Sequence, residues 1–318
     1  MSADGAALGA RLRERDLRAA PAALNLLEST TPADRKQAAA LLREVSPAAL
    51  GGEAAGHVIG VTGPPGAGKS TLLSALLAAW HGEQRTVAIL AVDPSSRRSG
   101  GSLLGDRARI EFDPLDGGVL IRSTAAGERL GGLARATGAA AHALAAAFDV
   151  VVIETVGVGQ AETEVADVAD TVVVVVQPGG GDVLQFLKVG IMETPDVLVV
   201  TKADLGPIAT RTAQELGAAL RSLGTSATRV LAVCSLAPAS GIEELIGALG
   251  EHRRAIDLGE RRLSARRASA LSDYTHEHGE RGLRALGGRR GAERLLAEQE
   301  PNLDTAALVA ALARGSDG

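Results

Sequence analysis

The stretch Gly63-Pro64-Pro65-Gly66-Ala67-Gly68-Lys69-Ser70 restricts what this chain can fold into more than any other. It follows the pattern G-x-x-x-x-G-K-[ST], and its flanks fit. His57–Thr62 before it reads as a short buried strand, and residues 70–80 after it set Leu72, Leu73, Leu76 and Leu77 on one helical face. Strand, glycine loop and helix in that order belong to an α/β fold, with the loop at the carboxyl end of the strand. The glycines let successive backbone N–H groups turn inward around a phosphate. The helix start adds partial positive charge, and Lys69 adds a full one. Ser70 is then the expected hydroxyl ligand of a Mg²⁺ ion.

The rest of the chain supplies the sheet that such a loop needs. From 57 to about 249, apolar runs alternate with helical patterns, and further strands are predicted at 86–92, 118–122, 150–154, 171–177, 197–201 and 229–233. Continuous Val/Ile/Leu runs separated by helices predict a mostly parallel, helix-covered sheet, the α/β architecture of a P-loop NTPase. Helical patterns precede it at 6–19 and 31–45, where Thr31 or Thr30 is the cap and Pro32 stands at the first helical position. Others follow at 261–286, 291–299 and 305–313, the last capped by Asn302 or Asp304. The expected organisation is an N-terminal helical extension (1–56), a P-loop domain (57–252) and a C-terminal helical arm (253–318).

Composition narrows the function. Only four lysines stand against twenty-nine arginines, and three of the four are Lys69, Lys188 and Lys202. An ammonium is a compact point charge and a guanidinium a planar fork, so these read as places where Arg would not serve. The net charge of −5 argues against a nucleic-acid partner. The Arg pairs at 253–254, 261–262, 266–267 and 289–290 are interspersed with acids and read as solvated helix faces. Cys234 is the sole cysteine, which excludes an intramolecular disulfide or a Cys-rich metal site, and it is expected to pack in a core. The longest apolar run, 172–176, is far too short to cross a bilayer, and no secretion signal is seen, so a cytoplasmic protein without a membrane partner is expected.

Polar residues end the predicted strands. Asp93, Glu154, Gln177 and Thr201-Lys202-Ala203-Asp204 each lie at or just past a strand terminus, on the same side of the sheet as Lys69. Asp93 opens a long Gly-rich loop and can orient an attacking water or bind Mg²⁺ through water; Asp106 is a second metal candidate in that loop. Either could instead cap a helix. Glu154 closes an apolar strand as a Walker B acid does, and the N–H of Gly157 in the following loop is placed to sense a γ-phosphate. A glutamate reaches one methylene further than aspartate and suits contact through water. Gln160 is the candidate for positioning the hydrolytic water.

Thr201-Lys202-Ala203-Asp204 resembles the guanine-reading Asn-Lys-x-Asp element. A carboxylate accepts both the N1–H and the exocyclic amine of guanine, whereas adenine leaves it unpaired, a difference that can discriminate by roughly 10⁴. GTP and GDP are therefore the expected ligands. Thr201 keeps a hydroxyl but lacks the carboxamide that braces this loop, which predicts weakened guanine affinity without a reversed preference. Ser235, after the next strand, is the expected backbone contact near the base.

Taken together these stretches resemble the MeaB/ArgK-like GTPases, chaperones of adenosylcobalamin-dependent methylmalonyl-CoA mutase. The resemblance rests on the P-loop from Gly63 through Thr71, Ala91-Val92-Asp93-Pro94-Ser95-Ser96, Gly100-Gly101-Ser102-Leu103-Leu104-Gly105-Asp106, Gly131-Gly132-Leu133-Ala134, Glu154-Thr155-Val156-Gly157-Val158-Gly159-Gln160-Ala161-Glu162, and Pro178-Gly179-Gly180-Gly181-Asp182 running into Leu187-Lys188. It implies a slow GTPase that gates cofactor delivery to a partner acyl-CoA mutase and removal of damaged cofactor, and a homodimer built on the C-terminal arm. The loop from Gln177 to Lys188 corresponds to an extra switch in that family, with Asp182, Gln185 and Lys188 as relay candidates. Two other readings compete. A transport-linked ATPase or small-molecule kinase requires adenine preference, which Asp204 opposes. A nickel chaperone GTPase requires imidazole or thiolate ligands, and the six histidines are scattered.

Overall fold

The computed structural model describes residues 3–93, 110–113, 115–125, 135–155, 164–179, 195–222, 224 and 227–316. Its strands are β1 (His57–Thr62), β2 (Val87–Asp93), β3 (Val119–Ala125), β4 (Val150–Thr155), β5 (Thr171–Val176), β6 (Val197–Val200) and β7 (Arg229–Ala232). Its helices are α1 (Gly5–Arg13), α2 (Ala20–Glu28), α3 (Pro32–Glu44), α4 (Pro47–Leu50), α5 (Lys69–Gly82), α6 (Arg135–Ala145), α7 (Pro207–Ser222), α8 (Ile242–Ala255), α9 (Leu258–Ala285), α10 (Arg289–Ala297) and α11 (Thr305–Ser316). The chain divides into two compact units, His57–Ala134 with Phe148–Ile256, and Met1–Gly56 with Arg135–Ala147 and Asp257–Gly318.

The first unit holds the sheet, in the order β3-β2-β4-β1-β5-β6-β7, with every pairing parallel. All seven strands lie where the apolar runs predicted them, with small shifts at the ends. Every residue of β1, β4 and β5 is buried, which is why these strands read as unbroken hydrophobic runs and not as alternation. Leu72, Leu73, Leu76, Leu77 and Trp80 of α5 share a core with Ile59, Val61, Val152 and Val173, and Ile242, Leu245 and Leu249 of α8 join it. β1 sits between β4 and β5, and its register sets Val61 opposite Glu154. The carboxyl end of β1, where the glycine loop begins, is thus flanked by the ends of two strands that carry polar residues.

The second unit is helical. Thr31 caps α3, accepting from the N–H of Asp34 at 3.2 Å, and Asp304 caps α11, accepting from the N–H of Ala307 at 2.8 Å. The sequence pattern over 6–19 is not one helix: α1 stops at Arg13, Arg15 takes a left-handed φ of 60°, and a 3₁₀ turn Leu17–Ala19 follows. Asp16 caps that turn, and its bonds to Arg18 and then Arg11 lower its carboxyl to about 2. Helix α2, hidden behind the Ala-Pro run at 19–22, was not expected. Helix α9 is broken at Gly279, whose φ of 62° lies outside the helical region.

The arginine pairs are not uniformly solvated, contrary to the expectation from their spacing. Arg262 and Arg266 are 6% and 5% exposed. Arg262 donates to the carbonyls of Ala54 (2.7 Å) and Gly56 (2.6 Å), and Arg266 forks onto both oxygens of Glu53 (3.0 and 2.9 Å). A planar guanidinium can saturate paired acceptors while buried, which an i, i+4 charge pattern cannot reveal. Among the described residues, no helix is long and apolar enough to cross a membrane.

Candidate nucleotide-binding site

The glycine loop is shaped by backbone geometry that side chains would prevent. Gly63 leaves β1 with φ of 140°, and a Cβ there would lie 2.0 Å from the carbonyl oxygen of Val175. Gly68 closes the loop in a left-handed conformation, φ 91°, and caps α5, whose first residue is Lys69. Lys69 is buried, and its Nζ donates to the carbonyls of Gly63 (2.6 Å) and Pro64 (3.2 Å), so the ammonium is held within the loop itself. Pro65 and Gly66 are exposed, and Ala67 is buried. Thr71 is exposed on the first turn of α5.

Ser70 follows Lys69 and donates its hydroxyl to Oε1 of Glu154 at 3.1 Å; the Glu154 side chain is buried at the end of β4. Two of the four residues predicted for Mg²⁺, Ser70 and Glu154, are therefore adjacent. They offer hard oxygen donors, and Mg²⁺ takes only one or two protein oxygens when phosphates and waters complete its shell, so the pair fits that ion. Asp93 ends β2, paired with Ala125. A bond that sequence reading missed joins the strand ends below: Thr155 Oγ1 donates to Thr62 Oγ1 at 2.8 Å, both buried. Its signal was a hydroxyl residue closing each of two apolar strands.

The predicted base-reading loop is docked on the glycine loop. The Thr201 hydroxyl is 2.6 Å from the carbonyl oxygen of Ala67 and 3.0 Å from that of Val176, sharing its one proton between them. Although Thr201 lacks the carboxamide, its buried hydroxyl still ties this loop to the glycine loop. Lys202, in the left-handed region at φ 55°, donates to Gln177 Oε1 at 2.7 Å and lies 3.4 Å from the carbonyl oxygen of Gly66. Asp204 stands exposed on the short turn Ala203–Leu205 and lines a cavity of about 340 Å³ together with Ala203, Cys234, Leu236, Ala237, Pro238 and Ser240.

Cys234 is buried, as expected, but its thiol is not merely core packing: Sγ lies 3.5 Å from Oδ1 of Asp204. Ser235 is next to it with its hydroxyl oxygen buried, and does not line the cavity. The structure thus brings together Lys69, Ser70 and Glu154 on one side and Gln177, Thr201, Lys202 and Asp204 on the other, joined through Gly66 and Ala67. Asp106, Gly157, Gln160, Asp182, Gln185 and Lys188 lie outside the described residues, as does the Gly131 motif.

A parallel sheet whose central strand runs through a glycine loop into a lysine-headed helix, with an acid ending the neighbouring strand, defines a P-loop NTPase. The family model described as Methylmalonyl Co-A mutase-associated GTPase MeaB matches residues 20–281, and the chain belongs to that family. It is 41% identical over 265 residues to a Pyrococcus abyssi protein named as a GTPase, covering 81% of this chain and 78% of that one. Against the GTPase ArgK of Escherichia coli it is 41% identical over 197 residues, 61% of this chain and 58% of the relative. A solved structure of an LAO/AO transport system kinase superposes with a TM-score of 0.65 at 28% identity, covering 99% of this chain and 98% of that one.

Proposed function

We propose that this protein binds and hydrolyses GTP slowly and uses the difference between its GTP and GDP forms to gate adenosylcobalamin loading, and repair, in a partner acyl-CoA mutase of the methylmalonyl-CoA type. The observation that carries the GTP reading is the loop Thr201-Lys202-Ala203-Asp204 fastened to the glycine loop, with the Asp204 carboxylate at a cavity of about 340 Å³. A carboxylate there accepts from guanine and repels the ring nitrogen that adenine presents. Family membership supports the partner.

In this reading the glycine loop's N–H groups and Lys69 bind the phosphates and hold the charge that develops on them. Ser70 and Glu154 would hold Mg²⁺, which when bound neutralises phosphate charge. Asp93 and Asp106 are the further metal candidates, Gln160 orients the attacking water, and the Gly157 N–H reads the γ-phosphate. Asp182, Gln185 and Lys188 relay the nucleotide state to the mutase. The protein acts as a homodimer in the cytoplasm through its C-terminal arm (253–318), the P-loop domain spans 57–252 behind a helical extension (1–56), and neither nucleic acid nor membrane is a partner.

Steady-state turnover of GTP, with ATP as control, alone and with an equimolar adenosylcobalamin-dependent acyl-CoA mutase, tests this. Slow GTP-selective turnover that accelerates with the mutase is expected. Turnover indifferent to the mutase would remove the chaperone role. Equal or preferred use of ATP would favour a small-molecule kinase, the reading that the LAO/AO kinase likeness leaves as the alternative.

A further inference from the structure

Cys234 forms part of the cavity wall beside Asp204, and nucleotide binding as described gives it no task. It is the chain's only cysteine and is 6% exposed. Its backbone is held firmly. Its N–H donates to the carbonyl of Ser240 at 3.0 Å and its carbonyl accepts from the N–H of Ser240 at 2.9 Å, while the carbonyl of Val233 just before it accepts from the N–H of Ala203 at 3.2 Å. Asp204 is the opposite case, an exposed side chain on a three-residue turn. Rotation of a carboxylate about its last torsion is soft and roughly two-fold. Among the described residues, the hydrogen-bond donor that this carboxylate meets is the Cys234 thiol, with Sγ 3.5 Å from Oδ1.

The thiol has one proton and a second acceptor in reach, the Leu236 carbonyl oxygen at 3.4 Å. The two distances are nearly equal, so charge decides: a hydrogen bond to an ionised acceptor is about twice as strong as one to a neutral acceptor. An S–H is also a weak donor, and a carboxylate offers about four lone-pair sites. It can therefore orient Asp204 without exhausting it.

We propose that Cys234 is a positioning residue for base recognition: its thiol holds one oxygen of Asp204, fixes the plane of the carboxylate, and so presents both oxygens to the N1–H and 2-amino group of a guanine. This rests on the reading of Asp204 as the guanine acceptor. The discriminating ligand is IDP, which keeps the N1–H and lacks the 2-amino group. Two-point recognition favours GDP over IDP, whereas damaged packing weakens both alike.

The test is the dissociation constants of GDP, IDP and ADP for the full chain and for Cys234→Ala and Cys234→Ser. Cys234→Ala should cut the GDP-over-IDP preference about 3- to 10-fold, the size of one lost hydrogen bond, while Cys234→Ser, which restores a donor, should keep most of it. An unchanged ratio in Cys234→Ala, or equal losses for GDP and IDP, would overturn the proposal and leave the thiol as packing. Equal wild-type affinity for GDP and ADP would overturn the guanine reading, and the proposal with it. Should the alanine variant not fold, the single S–H stretching band supplies a second readout. It should move to higher frequency in Asp204→Ala, and an unmoved band would sink the idea.

Discussion

The amino and carboxyl ends of the sheet's strands are both rich in polar side chains, yet they collect opposite chemistry. At the amino ends, three aspartates each precede a strand directly and accept from the N–H groups that open a neighbouring one. Asp149 takes the N–H of Thr86, Asp170 that of Val58 and Asp196 that of Val172, all at 2.8 Å. A chain of side chains leads to one of them, Asp196: His57 Nε2 is 2.8 Å from Thr171 Oγ1, which is 2.8 Å from His252 Nδ1, and His252 Nε2 is 3.1 Å from Asp196 Oδ1. The Thr171 hydroxyl, which can both donate and accept, thus bridges the two imidazoles.

At the carboxyl ends the orphan groups are carbonyls, and they gather donors. Gly63, Pro64 and Gly66 attract ammonium groups, and Ala67 and Val176 share the Thr201 hydroxyl. The direction of a parallel strand thus leaves N–H groups for carboxylates to meet at one end and carbonyls for donors to meet at the other, where the acids Asp93 and Glu154 also stand. The end with donors, glycines and a helix start is the one a phosphate can enter.

Lys69→Ala should separate the two ends most sharply. Nucleotide affinity should fall by about a hundredfold or more, since a buried charged donor is lost, with little change at the amino ends. Isothermal titration measures this, and retained tight binding would remove the P-loop assignment. Asp204→Asn should come next, moving preference from guanine toward xanthine nucleotides because the swapped amide reverses hydrogen-bond polarity; competition between GDP and XDP reads it, and an unchanged preference would take Asp204 out of the base site. Thr171→Val probes the other end alone. It should cost about 1–3 kcal/mol in urea unfolding by leaving imidazole nitrogens unpaired, and leave GDP affinity intact. Thr201→Val should have the smallest effect, about 1 kcal/mol in GDP affinity, by unpinning the base loop from Ala67. A loss of stability without loss of affinity would make that hydroxyl a fold contact only.

Much of this was legible before the fold was known. Asp93, Glu154, Gln177 and Lys202 were assigned to one end of the sheet from strand termini alone, and the bonds from Ser70 to Glu154 and from Lys202 to Gln177 bring four of the predicted residues into contact. The aspartates at 149, 170 and 196 were equally visible, one residue before each strand, but an acid at a strand start looks like a loop residue until the neighbouring strand is known.

The seven strands, the glycine loop and the lysine at the head of α5 follow from the sequence because each is written within a dozen or so residues, in periodicity, glycine spacing and capping. Thr201 bracing Ala67, Cys234 facing Asp204 and Arg262 gripping Ala54 join residues 134, 30 and 208 positions apart. Packing alone brings such pairs into contact, and no local pattern records a hydrogen bond whose partner arrives from another strand.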